Sequence, residues 1–231
     1  MIDFLRNSKA HVFVDDLNSE IVIRGDDHHH LSRVMRLKQD DLISVASNSK
    51  VCEYSISKID KNEIIAAQSS KIYEIEEPDI SVIVGIFKID RLEWGISKAV
   101  EAGAKKIIVA QSHRSPTRFD EKKKQRFLER AEAIVRSASM QSRHSSLAKV
   151  SLVDDLIMAC ETVEGPLVVC EPNGDSIPPS APVTIVIGPE GGFSDEEIHK
   201  LDSLGSKWSF SPFILRAETA MAIAPAIIAN Q

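Results

Sequence analysis

Cysteine is scarce in this chain, and the three present, Cys52, Cys160 and Cys170, have neither disulfide-framework nor metal-ligand spacing. That excludes a stapled extracellular scaffold and a thiolate zinc site; the three read as small apolar residues suited to a reducing compartment. Aromatic residues make up only 5% of the chain, so a core has to be built from aliphatic side chains. No apolar run reaches the roughly 20 residues needed to cross a bilayer. Met1-Ile-Asp-Phe-Leu-Arg6 has neither the basic start nor the apolar centre of a signal peptide. A cytoplasmic protein with no membrane partner is expected. Neither GxGxxG nor GxxxxGK[ST] follows a strand-like run, which removes support for dinucleotide or P-loop chemistry. His28, His29 and His30 are adjacent, and consecutive helical side chains diverge by about 100°. They cannot converge on one ion, and no metal is expected.

What is present is a chain of 231 residues, 43% hydrophobic, enough for one large domain or two modest ones. Two rhythms divide it. Up to about residue 75, short β-prone runs alternate with polar breaks: His11–Val14, Glu20–Ile23, Leu42–Val45, Glu53–Ile56 and Ile64–Ala66. This is the pattern of a small β-barrel, in which only His28–Leu37 reads as helix, with Leu31, Val34, Met35 and Leu37 as its apolar side. Spacing does not separate a PUA fold from an OB fold. After the acidic, proline-ended Tyr73–Pro78, strand and helix alternate: strands Val82–Ile86, Lys106–Val109, Leu167–Cys170, Val183–Ile187 and Ser206–Phe210, with helices over about 90–102, 119–140, 153–162, 195–204 and 217–229. The expectation is α/β with a mostly parallel sheet, and two domains over 1–75 and 79–231.

Net charge is −6, yet it is segregated: residues 105–150 carry twelve Lys/Arg against four Asp/Glu, and residues 151–231 three against twelve. A polyanion responds to local potential within about 10 Å, so a basic stripe can bind RNA on an acidic protein. Lys122–Lys124 fit equally the solvated side of a helix that buries Phe127, Ala131, Ile134 and Ala138. Arg114, Arg118 and Arg143 fall in Ser/Thr/His-rich loops, where a planar guanidinium suits phosphate. Salt bridges to nearby carboxylates are the competing account.

Two stretches near the C-terminus carry the chemistry. In Val183–Ser194 five β-prone residues end at Gly188-Pro189, followed by Glu190-Gly191-Gly192 and a capping box formed by Ser194 and Glu197. Glycines at 188, 191 and 192 permit positive φ and close approach of a ligand to the main chain. In Phe210–Ala220 an extended run turns at Ser211-Pro212 and enters a helix near Ala217. Glu171-Pro172, residues 188–192 and residues 211–215 all fall beyond strand carboxyl ends, where α/β sheets gather ligands, so three loops are expected to surround one pocket.

Gly188-Pro-Glu-Gly-Gly-Phe-Ser194 with Ile214-Leu-Arg-Ala-Glu-Thr-Ala220 resembles the signature pair of the 16S ribosomal RNA uridine N3-methyltransferase family, a branch of the SPOUT methyltransferases. His29-His-Leu-Ser-Arg33-Val-Met-Arg36-Leu resembles the family's N-terminal segment, Lys98–Gly103 its KxxELG segment, and Gln141-Ser-Arg143 its QxGR segment. The resemblance implies a trefoil-knotted sheet, a PUA-like RNA-binding barrel in front of it, a homodimer, and 16S rRNA or the small ribosomal subunit as substrate. It implies S-adenosylmethionine held by Glu171, Pro172, Ile187, Gly188, Pro189, Glu190, Gly191, Gly192, Phe210, Ser211, Ile214, Leu215, Ala217, Thr219 and Ala220. RNA would be held by Arg33, Arg36, Arg114, Arg118 and Arg143, with Arg33 and Arg36 three apart on one helix face.

N3 of uridine is an imide N–H, so transfer needs a base or stabilisation of charge developing on the flanking carbonyls. Arg216 is the first candidate for that cation. Glu218 is base, orienter of the arginine, or helix-end carboxylate; Glu190 meets the cofactor or only stabilises its turn. Helix 217–229 contributes to a dimer or is a core helix. The chain departs from the family where Ser211 replaces a glycine and Phe213 an arginine. Strain at Ser211, if that position needs positive φ, favours the rival of a non-catalytic rRNA-binding or ribosome-assembly protein that keeps the cofactor-binding fold.

Overall fold

The two rhythms become two units in the computed structural model, which describes residues 3–231; Met1 and Ile2 of the segment read for a signal peptide lie outside it. One unit comprises Met1–Glu77 with Ser139–Leu147, the other Pro78–Ala138 with Ala148–Gln231.

In the first unit α1 (Asp3–Asn7), β1 (Ala10–Phe13), β2 (Glu20–Ile23), α2 (Gly25–His29), β3 (Leu42–Ser47), β4 (Lys50–Ile59), β5 (Ile64–Gln68) and β6 (Tyr73–Glu74) follow in order. The strands pair as β1-β3-β4-β5-β2 with β6 added on β4; β1 and β3 are parallel and the other pairs antiparallel. β1 and β2 end this path and are not hydrogen-bonded to each other. Alternate residues point inward, so that β2 reads exposed-buried-exposed-buried and Ile21 and Ile23 join Val12, Ile43, Val45 and Ile56 in one aliphatic core.

The helix expected over His28–Leu37 begins earlier and loses its regular phase sooner. After α2, residues His30–Val34 wind one wider π-turn, in which Met35 N donates to His30 O at 3.0 Å, and Arg36 takes a left-handed φ of 54°. Leu31 and Leu37 are buried, whereas Val34 and Met35 face solvent, because the extra residue per turn rotates them off the apolar side.

Ser139–Leu147, read from the sequence as part of the second domain, belongs to the first unit, and polar contacts explain why. Arg143 donates from both terminal nitrogens to Leu5 O and Ser8 O, Ser49 N donates to Ser145 O at 3.1 Å, and Ser145 N donates to Glu77 Oε1 at 2.6 Å. Burial pushes His11 down to about 4, so the ring is neutral; its Nε2 lies 2.9 Å from His144 O and donates, while Nδ1 lies 2.8 Å from Ser44 Oγ.

The second unit runs β7 (Ile80–Gly85), α3 (Ile89–Glu101), β8 (Lys106–Ala110), α4 (Glu121–Ser142, its last residues in the first unit), β9 (Lys149–Val153), α5 (Leu156–Glu161), β10 (Leu167–Asp175), β11 (Val183–Ile187), α6 (Asp195–Leu204), β12 (Ser206–Trp208) and α7 (Ala217–Ala229). All five pairings in the order β12-β10-β11-β7-β8-β9 are parallel. β11 is buried along its whole length, since helices cover both faces of such a sheet. Val82, Val84 and Ile185 face one core and Ile83, Val186 and Val169 the other. β9 is the strand the sequence hid: Lys149-Val-Ser-Leu-Val153 lies at the sheet edge, half-buried, and shows no apolar run. α7 buries Ala217, Ala220, Met221, Ala224 and Ile228 along one side, packed against α3, while Ile223 faces solvent.

Candidate functional site

At the carboxyl ends of β10, β11 and β12 the chain leaves a cavity of about 560 Å³, within the range of small-molecule sites. Both signature stretches line it. From the first come Ile187, Gly188, Pro189, Glu190, Gly192 and Phe193; from the second Phe210, Ser211, Phe213, Ile214, Leu215, Arg216, Ala217 and Ala220, with Trp208 and Ser209 just before it.

Each loop is placed by its own local chemistry. β11 stops at Gly188-Pro189, and the loop folds back so closely that a Cβ on Gly85, at the end of β7, would lie 2.6 Å from Pro189 Cδ. Only Gly192 of the three loop glycines has positive φ, at 68°. Gly188 does not use that freedom, and Gly191 packs its main chain against Arg114 and is absent from the cavity wall. The capping box expected at Ser194 and Glu197 is present, with both reciprocal bonds formed. Glu171 and Pro172 reach the cavity because β10 bulges: Cys170 and Asp175 both oppose Trp208, so the residues between them loop out. Burial raises the Glu171 carboxyl above its ordinary value, with Lys207 acting in the opposite direction. At the start of the second loop the rings of Trp208 and Phe210 meet at a tilt of 43° with centroids 4.7 Å apart, and Phe213 N donates to Ser211 Oγ at 3.1 Å. Ser211 is not among the residues of positive φ, so the strain its replacement of glycine suggested is not there.

Arg216 lies on the cavity wall, solvent-exposed, at the extended N-cap of α7. Glu218, two residues further on and the second residue of the helix, is buried. Its Oε1 is 3.9 Å from Arg91 Nε, and Oε2 has no hydrogen-bond partner among the described residues. Glu218 and Thr219 do not line the cavity. Glu190 is held by Arg91, whose Nη1 donates to Oε1 at 2.5 Å. Arg91 is a wall residue that sequence reasoning missed; the signal was an arginine in the first turn of a helix that leaves a strand's carboxyl end. Cys170, Phe193, Trp208, Ser209 and Phe213 also line the cavity without having been singled out as ligand contacts.

The arginines assigned to RNA separate into groups. Arg114 and Arg118 are exposed, and Arg114 Nη1 donates to Gly191 O at 3.2 Å, which ties it to the first signature loop. Arg143 is spent on two main-chain carbonyls, at a φ of 60°, and acts structurally. Arg33 and Arg36 are exposed but do not share a regular helix face, because one sits in the π-turn and the other in left-handed backbone. On α4, Lys124 pairs with Asp154 at 2.6 Å and Arg130 with Glu93 at 2.7 Å, so part of the basic stripe is neutralised. Among the described residues no cluster of His, Cys, Asp or Glu could hold a metal ion, and no helix is long and apolar enough to cross a membrane.

The chain thus combines a fully parallel α/β unit that has a cavity at its strand ends with a small mixed-sheet unit, which defines a two-unit α/β protein with a ligand-sized cavity. Comparison with known proteins narrows this: a family model described as an RNA methyltransferase domain matches residues 75–229, and one described as an RNA methyltransferase PUA domain matches residues 23–67. The chain therefore belongs to the RNA methyltransferase family, in the branch of ribosomal RNA small subunit methyltransferase E. It is 29% identical to the protein of that name from Bacillus subtilis, over 90% of this chain and 89% of the relative. The corresponding protein of Mesomycoplasma hyopneumoniae is 32% identical, over 81% and 85%. The crystal structure of the Neisseria gonorrhoeae protein of the same name, bound to S-adenosylmethionine, superposes with a TM-score of 0.82 at 22% identity, covering 96% of this chain and 97% of that one; the likeness is one of fold.

Proposed function

We propose that the chain transfers a methyl group from S-adenosylmethionine to N3 of a uridine in 16S rRNA. The observation that carries this is the convergence of residues 187–193 and 208–217 on one cavity whose wall holds Arg216. The wall fits the cofactor. Turns at 188–192 and 209–215 offer main-chain donors and acceptors to an adenine, and the carboxylates Glu171 and Glu190 suit ribose hydroxyls or a cationic methionyl end. When bound, that group supplies an electrophilic methyl on sulfonium.

The chain's own residues do the rest. Arg216 places a fixed positive charge beside the uracil, where it stabilises the charge that develops on the carbonyl oxygens as N3 gives up its proton to solvent water. Glu218 is a positioning residue: buried and facing Arg91, it acts on the wall through that guanidinium. Arg114 and Arg118 hold phosphates, and the base is presented unstacked, since N3 lies inside a Watson–Crick pair. The sheet of the first unit acts as a PUA-like RNA-binding barrel, and the chain is threaded as a trefoil knot at 188–192 and 211–217. Exposed Trp94 and Ile223, on α3 and α7, support pairing into a homodimer. The rRNA substrate implies a cytoplasmic location.

Incubation of the protein with labelled S-adenosylmethionine and unmodified small-subunit RNA or subunits, followed by mass mapping, tests the reading. Methylation of one uridine at N3 is expected, and Arg216→Ala lowers kcat by about 10²-fold. Cofactor binding without any transfer to either substrate overturns the enzymatic reading and favours the RNA-binding one.

A further inference from the structure

Glu197 does more than cap a helix. It is 3% exposed, and capping occupies only one of its oxygens, Oε2, which accepts from Ser194 N at 2.8 Å. The other oxygen, Oε1, accepts from Ser112 Oγ at 2.8 Å and from His113 N at 2.9 Å, both in the loop that follows β8. A second tie joins the same two segments, since His113 Nδ1 lies 3.1 Å from Ser194 Oγ. The next residue is Arg114, whose guanidinium reaches Gly191 O and whose Cβ would lie 3.3 Å from a Cβ at Gly191. One buried carboxylate thus fastens the segment that presents Arg114 and Arg118 to the end of the loop that lines the cavity. A cap alone leaves the contacts to residues 112 and 113 unexplained.

We infer that Glu197 is a positioning residue for RNA: it holds the 112–118 loop in register with the 188–194 loop, so that the cations gripping the RNA backbone stand at a fixed place relative to the methyl-transfer cavity. The inference rests on the function proposed above and adds a residue that touches neither RNA nor cofactor. Its removal loosens the grip on RNA and leaves the cavity itself intact.

Variants of the full chain separate this from a simple structural role. Ser112→Ala removes one cross-loop bond without touching the helix cap. Glu197→Asp keeps a carboxylate for the cap but is one methylene short of the 112–113 segment. Steady-state kinetics with small-subunit RNA, calorimetric titration of S-adenosylmethionine and thermal unfolding are measured for both, alone and combined with Arg114→Ala. Both variants are expected to raise KM for RNA about fivefold while the cofactor Kd stays within about twofold, and to add little to the effect of Arg114→Ala, because the substitutions disable one device. An unchanged KM for RNA, an equal loss of cofactor affinity, or full additivity with Arg114→Ala overturns it. If the wild-type protein transfers no methyl group, the functional reading fails and takes this inference with it; if the wild type is active and the variants match it, this inference alone fails.

Discussion

The two loops that meet at the cavity are built in opposite ways. The first, from Gly188 to Ser194, is wedged into the body of its unit: Pro189 lies against the end of β7, Phe193 is 3% exposed with Gly188 against its ring, and Ser194 and Glu197 lock the exit. The second, from Ser209 to Arg216, carries Phe213 and Ile214, which are 78% and 91% exposed. A close-packed segment holds a shape before any ligand arrives; an exposed one is shaped by what it meets. The first loop is the template of the site, and the second is its adaptable side.

Truncating the same residue type in both loops tests that contrast most severely. Phe193→Ala should cost about 3 kcal/mol in denaturant unfolding, the usual toll of emptying a buried aromatic site, with cofactor affinity falling as well. Gly85→Ala comes next, because its methyl would lie 2.9 Å from Pro189 N as well as against the ring, and backbone gives way poorly. A loss of about 2 kcal/mol is expected by the same measurement. Gly192→Ala meets no atom within 4 Å, so only its φ of 68° is at issue, and a cost of about 1 kcal/mol should appear.

Acid then grades the lock at the first loop's exit. Burial pushes the Glu197 carboxyl up, but the bonds from Ser194 N, His113 N and Ser112 Oγ outweigh it and hold the group below its ordinary value of 4.5. A depressed carboxyl stabilises the fold above that value and loses the contribution as pH falls through its folded pKa. The stability gap between wild type and Glu197→Gln should therefore be constant near neutrality and close at pH values below 4.5 in pH-dependent urea titrations. Smallest of all, Phe213→Ala should shift stability by less than about 0.5 kcal/mol. A loss at Phe213 as large as at Phe193 would erase the distinction between the loops.

Most of the second unit was legible, because a parallel sheet writes its strands as unbroken aliphatic runs such as Val183–Ile187, and the Ser194/Glu197 box marks a helix start by local chemistry alone. What stayed hidden depended on distance or on phase. Lys149–Val153 is a strand by virtue of its neighbour β8. Arg91 becomes a site residue only when α3 is laid beside the Glu190 loop, 99 positions away in sequence. Arg143 looked like a free loop cation because nothing local announces that its partners are the carbonyls of Leu5 and Ser8. Arg33 and Arg36 were misplaced by one π-turn, which a period of 3.6 cannot foresee. The cavity was readable because both its loops are short segments at strand ends.

That Ser139–Leu147 belongs with Met1–Glu77 has a consequence for how the protein is made. On the ribosome, the N-terminal unit cannot finish folding when its own strands have emerged, since Arg143, His144 and Ser145 are still untranslated. At synthesis rates of about 5–20 residues per second it waits roughly 4 to 14 seconds. During that time its sheet lacks the carbonyl that His11 Nε2 needs and the guanidinium that ties Leu5 to Ser8. A nascent chain halted after residue 77 should be protease-sensitive where one halted well beyond residue 147 is not.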